Sequence, residues 1–144
     1  MTFPTVDGLR TMELGSPGGL RAHLNDCVLN GTKRATAGLL SEYITENEPW
    51  EHVGERLVLV DDDEAPLGVI EVTAVLPTTF AEVTWEFAQA EGEGFVDLED
   101  WRRAHRDYWA TEGEHVTAAT PVLCIYFELV ARSYSARDYQ SEGL

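Results

Sequence analysis

The hydrophobic positions of this chain change period several times, and each change marks an element. Leu20, Leu24, Cys27 and Val28 recur at i, i+4, i+7 and i+8, one face of a helix that Ser16-Pro17-Gly18-Gly19 opens and Asn30-Gly31 stops. Leu39, Leu40, Tyr43 and Ile44 predict a second short helix over 37–45, ended by Glu46-Asn47-Glu48-Pro49. The pattern then turns to β. Arg56-Leu57-Val58-Leu59-Val60 and the run over 67–76 flank Asp61-Asp62-Asp63-Glu64-Ala65-Pro66, which reads as an antiparallel hairpin with a solvated acidic turn. Phe80, Val83, Phe87 and Ala88 predict a helix over 80–91 that stops at Glu91-Gly92-Glu93-Gly94. Asp97 and Asp100 have the spacing of an N-cap and its capping-box partner, and Leu98, Trp101, His105 and Tyr108 share a face of the helix that follows. The apolar run from Val122 to Val130 predicts a central strand. Residues 1–11 and 134–144 show little periodicity and are expected as loose ends, with a short strand at most around Thr11 to Gly15. No repeat or linker interrupts the pattern, so residues 1–144 read as one α+β domain.

A chain of 144 residues, 44 % hydrophobic, is long enough to bury about two-thirds of its unfolded surface without disulfide or metal staples. Its apolar runs are too short for a membrane helix, and the first residues lack the charge and hydropathy of an export signal, so a cytoplasmic protein is expected. Cys27 and Cys124 sit in apolar patterns with no His or Cys at ligand spacing, which favours two buried free thiols. The four consecutive acids at 61–64 lack the oxygen spacing and the glycine of a calcium loop, and no metal site is expected.

Charge narrows the function. With 26 acids against 10 Lys and Arg the net charge is −16, which argues against broad, non-specific nucleic-acid binding. Exposed charges are screened over about 8–10 Å, so a local basic cleft could still act if the fold joins Lys33 and Arg34 to Arg102, Arg103 and Arg106. Lys33 is the only lysine of the chain, and it follows the helix-stopping Gly31 in Asn30-Gly31-Thr32-Lys33-Arg34-Ala35-Thr36. Cations after a helix C-terminus are favoured by its dipole, so spacing alone leaves plain capping and a functional role both open.

Gly31-Thr32-Lys33-Arg34-Ala35-Thr36 matches a G-x-K-x-x-T signature, and with Glu13-Leu14-Gly15, Val69-Ile70-Glu71-Val72, Glu91-Gly92-Glu93-Gly94 and Trp101-Arg102-x-x-His105 it resembles the longer bacterial branch of the ASCH family. The resemblance covers roughly residues 12–130 and implies a PUA-like mixed or antiparallel β-barrel flanked by helices. It also implies a protein directed at RNA or at a nucleoside, since short relatives are similar to amidohydrolases of acetylated cytidine and some longer ones are associated with ribonuclease activity. The implied site is Lys33, Thr36 and an acid, with Glu93 aligned on the acidic position and Glu91 as the alternative. Tyr43 is a further candidate in the longer branch. Arg34, Tyr43, Trp50, Arg102 and His105 are candidates for holding RNA or a modified nucleoside. The chain departs from the short relatives in the segment around Trp101 and in its acidity.

Such a site suits hydrolysis without a cofactor, although a ribonuclease could use a divalent metal. A lysine acting as base would need its pKa lowered from about 10.4 toward neutrality, which an acidic surrounding opposes. Lys33 is therefore expected to stay charged and stabilise an oxyanion or phosphate, with a glutamate as base; in a ribonuclease, Glu93 or His105 would move the proton of the 2′-hydroxyl. The alternatives are a binding module without chemistry and an acidic protein-interaction module. Oligomeric state is not legible.

Overall fold

The computed structural model describes residues 5–133. Strand β1 (Thr5–Val6) and strand β2 (Leu9–Met12) form a hairpin whose turn residues Asp7 and Gly8 both have positive φ, 51° and 86°. That is the backbone an Asp-Gly two-residue turn favours. Residues 5–11, expected as part of a loose end, are thus paired strand and turn, specified by turn chemistry rather than by alternation. Residues 1–4 and 134–144, the rest of the expected ends, lie outside the described residues.

Helix α1 (Gly19–Leu29) ends at Asn30 and Gly31, the latter at φ 87°. Leu24, Cys27 and Val28 are buried as their spacing predicts, while Leu20 is 40 % exposed. Strand β3 (Ala35–Leu39) follows and passes directly into α2 (Leu40–Thr45). The helix expected from residue 37 therefore begins three residues later. The non-local ladder, with Thr36 opposite Ile125 and Gly38 opposite Leu123, overrides the local helical spacing.

Strands β4 (Arg56–Val60) and β5 (Pro66–Thr79) form the expected hairpin. In its turn the Asp61 carboxylate accepts from the amides of Asp63 and Ala65, both at 2.9 Å. The helix expected over 80–91 is split. Phe80–Glu82 form a 3₁₀ turn, Val83 is extended, and the Thr84 hydroxyl accepts from the Phe87 amide to start α3 (Trp85–Ala90). Helix α4 (Leu98–Thr111) begins as its sequence predicts: Asp97 accepts from the Asp100 amide at 2.8 Å, and Asp100 accepts from the Val96 amide at 3.1 Å. Strand β6 (Pro121–Ala131) is the apolar run.

The six strands form one mixed sheet in the order β1-β2-β4-β5-β6-β3, flanked by helices. Among the described residues only the β2–β4 ladder is parallel. Alternation along β6 divides the interior. Val122 and Cys124 pack with Phe80, Phe87, Trp101 and Trp109, whereas Leu123, Ile125 and Phe127 pack with Leu24, Val28, Leu57 and Ile70. Cys27 and Cys124 are both buried and free. Among the described residues no ladder joins β2 to β3, yet both line one cleft. The two strands, far apart in the sheet order, are thus brought to the same cleft of this α+β fold.

Candidate functional site

The turn after α1 is tied down on three sides. The Lys33 amide donates to the Cys27 carbonyl at 3.0 Å, and the Thr32 hydroxyl donates to Asn30 Oδ1 at 2.7 Å. Next in sequence, the Arg34 amide donates to the Ala90 carbonyl at 2.7 Å, and the Arg34 carbonyl accepts from the Phe127 amide at 2.9 Å. The loop after α3 rests on this turn so closely that a Cβ on Gly92, which has φ 67°, would lie 1.9 Å from the Thr32 carbonyl oxygen. Only glycine permits that approach. Gly92 thus brings Glu91 and Glu93 to the lysine.

Lys33 is 2 % exposed, and its ammonium donates to Glu93 Oε2 at 2.9 Å, Glu91 Oε2 at 3.3 Å and the Glu91 carbonyl at 3.4 Å. The Glu91 carboxylate, equally buried, uses its other oxygen to accept from Trp101 Nε1 at 2.5 Å and to meet His105 Nε2 at 3.1 Å. Trp101 and His105 are one turn apart on α4, and their rings stack at 4.1 Å. Burial alone would lower the Lys33 pKa, but Glu91 and Glu93 outweigh it and hold the amine above its usual range. Burial would likewise raise the Glu91 carboxyl, yet the charges of Lys33 and His105 bring it down to about 2. His105 is lowered by burial and raised more by Glu91. The contacts and the direction of the shift both favour the charged lysine over the free amine.

The cluster lies on the floor of a pocket of about 210 Å³, which Thr36 also lines, between the apolar walls of Leu14, Leu24, Phe95 and Trp109. Through shared walls at Leu14, Thr36, Tyr108 and Trp109 the pocket continues into a cleft of about 590 Å³ in the gap between β2 and β3. Seven glutamates line that cleft, among them Glu42, Glu48, Glu51 and Glu112, against Arg10 and Arg21. Both arginines are engaged. Arg10 grips Glu55 with two bonds of 2.8 Å and also reaches Glu48 and the Pro49 carbonyl. Arg21 donates to the carbonyls of Leu14 and Gly15. Tyr43 packs its ring on Gly38 and donates its hydroxyl to Glu51 at 2.7 Å; burial and that carboxylate push its pKa above the usual range.

Of the residues singled out from sequence, Lys33, Thr36, Glu91, Glu93 and His105 meet in the pocket, and Tyr43 lines the adjoining cleft. Arg34, Trp50 and Arg102 line neither. Arg34 is exposed, Trp50 is 46 % exposed, and Arg102 is held by Glu99 and the Ala81 carbonyl. Arg103 pairs with Asp100, and Arg106 lies over the Phe80 ring. None of Arg34, Arg102, Arg103 and Arg106 lines the pocket or the cleft, so the condition for a local basic cleft around Lys33 is not met, and α4 pairs two of its arginines within its own first turns. Arg10, Arg21 and Trp101 were not anticipated at the site. For Trp101 a signal exists, the i, i+4 spacing to His105 just after an acidic Gly-rich loop; for the arginines, whose partners are distant in sequence, none does.

The model of the ASCH domain family matches residues 11–131. Among solved structures, the ASCH domain from Lactobacillus crispatus JV V101 is 27 % identical, with a TM-score of 0.75 over 84 % of this chain and 79 % of that one. A protein from Enterococcus faecalis V583 is 25 % identical, with a TM-score of 0.74 over 91 % of this chain and 80 % of that one. A mutant ASCH protein from Zymomonas mobilis shares the fold at 12 % identity, with a TM-score of 0.50 over 74 % of this chain and 63 % of that one. No curated protein matches the chain. The match over 11–131 spans every strand from the second half of β2 to the end of β6 and includes all the residues of the buried cluster, and this chain belongs to the ASCH domain family.

Proposed function

We propose that the protein is a hydrolase of acylated pyrimidine nucleosides, of the acetylcytidine type, with Lys33, Glu93 and Thr36 at the reacting atoms. The observation that carries this reading is the 2.9 Å contact between Lys33 and Glu93 on the floor of a small pocket whose mouth is lined by carboxylates. A nucleoside carries no phosphate and meets no repulsion there, whereas an RNA strand would bring its phosphates against seven glutamates. That contrast favours the nucleoside over the ribonuclease reading.

The donors of Lys33 set the chemistry. All three ammonium hydrogens have acceptors, two of them long bonds to the fully buried Glu91 and one short bond to Glu93, whose side chain is 21 % exposed. An acyl oxygen arriving in the pocket takes the place of Glu93 at the ammonium, which frees the carboxylate to act as base. Glu93 then takes a proton from water as the water attacks the acyl carbon. The oxyanion forms against Lys33, and Glu93 returns the proton to the departing amine as the C–N bond breaks. Thr36, on the same pocket wall, orients the attacking water or the acyl oxygen. Glu91, with three donors on its two oxygens, is an anchor and not a base.

Chromatography of cytidine released from N4-acetylcytidine tests the reading. Lys33→Met and Glu93→Gln are each expected to lower kcat by about 10²- to 10³-fold. Full turnover by a folded Lys33→Met variant overturns the catalytic role. Saturable binding of the nucleoside without release of cytidine by the wild-type protein would make it a reader of modified bases. Tight, steeply salt-dependent binding of an RNA strand would move the substrate to RNA.

A further inference from the structure

The ring of His105 is enclosed on α4 beside the Lys33 cluster. Both of its nitrogens face acceptors: Nδ1 lies 3.0 Å from the Trp101 carbonyl oxygen, and Nε2 lies 3.1 Å from Glu91 Oε1. A carbonyl oxygen only accepts. Glu91 Oε1 already accepts from Trp101 Nε1, and its other oxygen accepts from Lys33, so the carboxylate has the contacts of an ionised group. A neutral imidazole has one hydrogen for two such contacts. The face of the ring is stacked on Trp101, and Phe95 and Trp109 close around it at centroid distances of 5.6 and 5.3 Å. The charged groups around it are Glu91, Glu93 and, on the other oxygen of the Glu91 carboxylate, Lys33.

We propose that His105 is a positioning residue that acts as a standing imidazolium: it donates to the Trp101 carbonyl and to Glu91, and so holds the Glu91 carboxylate turned toward Lys33. The buried cluster is then balanced, with Lys33 and His105 opposite Glu91 and Glu93. Because both ring hydrogens are committed, His105 does not move protons in the reaction. The Trp101–His105 pair on α4 is in effect the brace of the lysine site. Its role in turnover rests on the hydrolase reading; its protonation state does not.

Two measurements on the full chain test the proposal separately. In ¹⁵N-labelled protein at pH 7.5, long-range ¹H–¹⁵N spectra are expected to show an imidazolium pattern that is lost in His105→Gln. A neutral-tautomer pattern for that residue overturns the proposal whatever the activity. The second measurement compares His105→Phe, which keeps the stacking shape without donors, with His105→Gln, which can still donate to Glu91. With acetylcytidine, His105→Phe is expected to lose about 100-fold in kcat with KM little changed, and His105→Gln to recover part of it. Equal loss in both variants, or a loss in KM alone, overturns the positioning role. If the imidazolium pattern is present but the wild-type protein releases no cytidine, the hydrolase reading fails and the brace stands. Loss of the Lys33 Nζ signal from its wild-type position in His105→Phe then reads the brace directly, and an unmoved Nζ signal refutes it. As the chain has one lysine, that signal needs no assignment.

Discussion

At its closed end the cleft joins Lys33 to Glu91 and Glu93, and Glu91 to His105; at its open end seven glutamates surround two arginines that are already engaged. The first arrangement is costly to break because each charge was taken out of water against a partner. The second is uncompensated and sets the potential that a ligand meets first. The net charge of −16 is therefore unevenly distributed: paired around Lys33 in the pocket, in excess along the cleft.

The largest test of this contrast removes Glu91. Glu91→Leu leaves Lys33 and His105 buried without their shared anion, and urea denaturation is expected to show a loss of about 3–5 kcal/mol. Gly92→Ala comes next, because the added Cβ meets the Thr32 carbonyl at 1.9 Å. It is expected to cost about 3 kcal/mol from overpacking together with the positive φ. Gly94, at φ 82° with open space around it, is the control, and its alanine variant should lose only about 1 kcal/mol. A smaller effect of opposite sign is expected at the open end. Burial, then Glu46, Glu114 and Glu112, raise the Glu42 carboxyl from 4.5 to about 6. Its charged form therefore opposes folding above pH 6, and the penalty fades as pH falls toward 4.5. Glu42→Gln should gain about 1 kcal/mol at pH 7, discounted for its partial exposure, and nothing near pH 4.5.

The pH dependence of the wild-type protein sharpens the comparison further. Glu91 is held below its ordinary 4.5, so its contribution is present above that value and lost as pH falls toward 2. His105 is held above its ordinary 6.5, so its contribution is complete below that value and lost as pH rises through the raised one. The two windows overlap between about pH 4.5 and 6.5; Glu42 subtracts within that interval, its penalty growing from 4.5 to about 6 and staying constant above. A melting-temperature profile should peak in that interval, and in His105→Gln the decline above pH 6.5 should be shallower.

Much of this was legible in the sequence where the cause is local. The Asn30-Gly31 stop, the Asp97 cap and the apolar run of β6 all appear at their expected places. Ala37 to Leu39 was read as helix because Leu39, Leu40 and Tyr43 do have helical spacing; what makes the segment a strand is β6, some ninety residues away. The site divides in the same way. Lys33, Thr36 and the Glu-Gly-Glu loop carry a local signature, and they meet. Arg34 and Arg102 were selected for charge alone, and charge does not say where a side chain points. Arg10 could not be anticipated at all, since Glu48, Pro49 and Glu55 lie about forty residues further along the chain.

The solitary lysine has a practical consequence. Lys33 is 2 % exposed and fully paired, so none of these 144 residues offers a side-chain amine to solvent. Activated esters, acyl phosphates and other acyl donors that decorate ordinary surface lysines find no such target on this chain. A protein working among reactive acyl compounds would keep its surface free of acyl-lysine, its one lysine held in ion pairs below that surface.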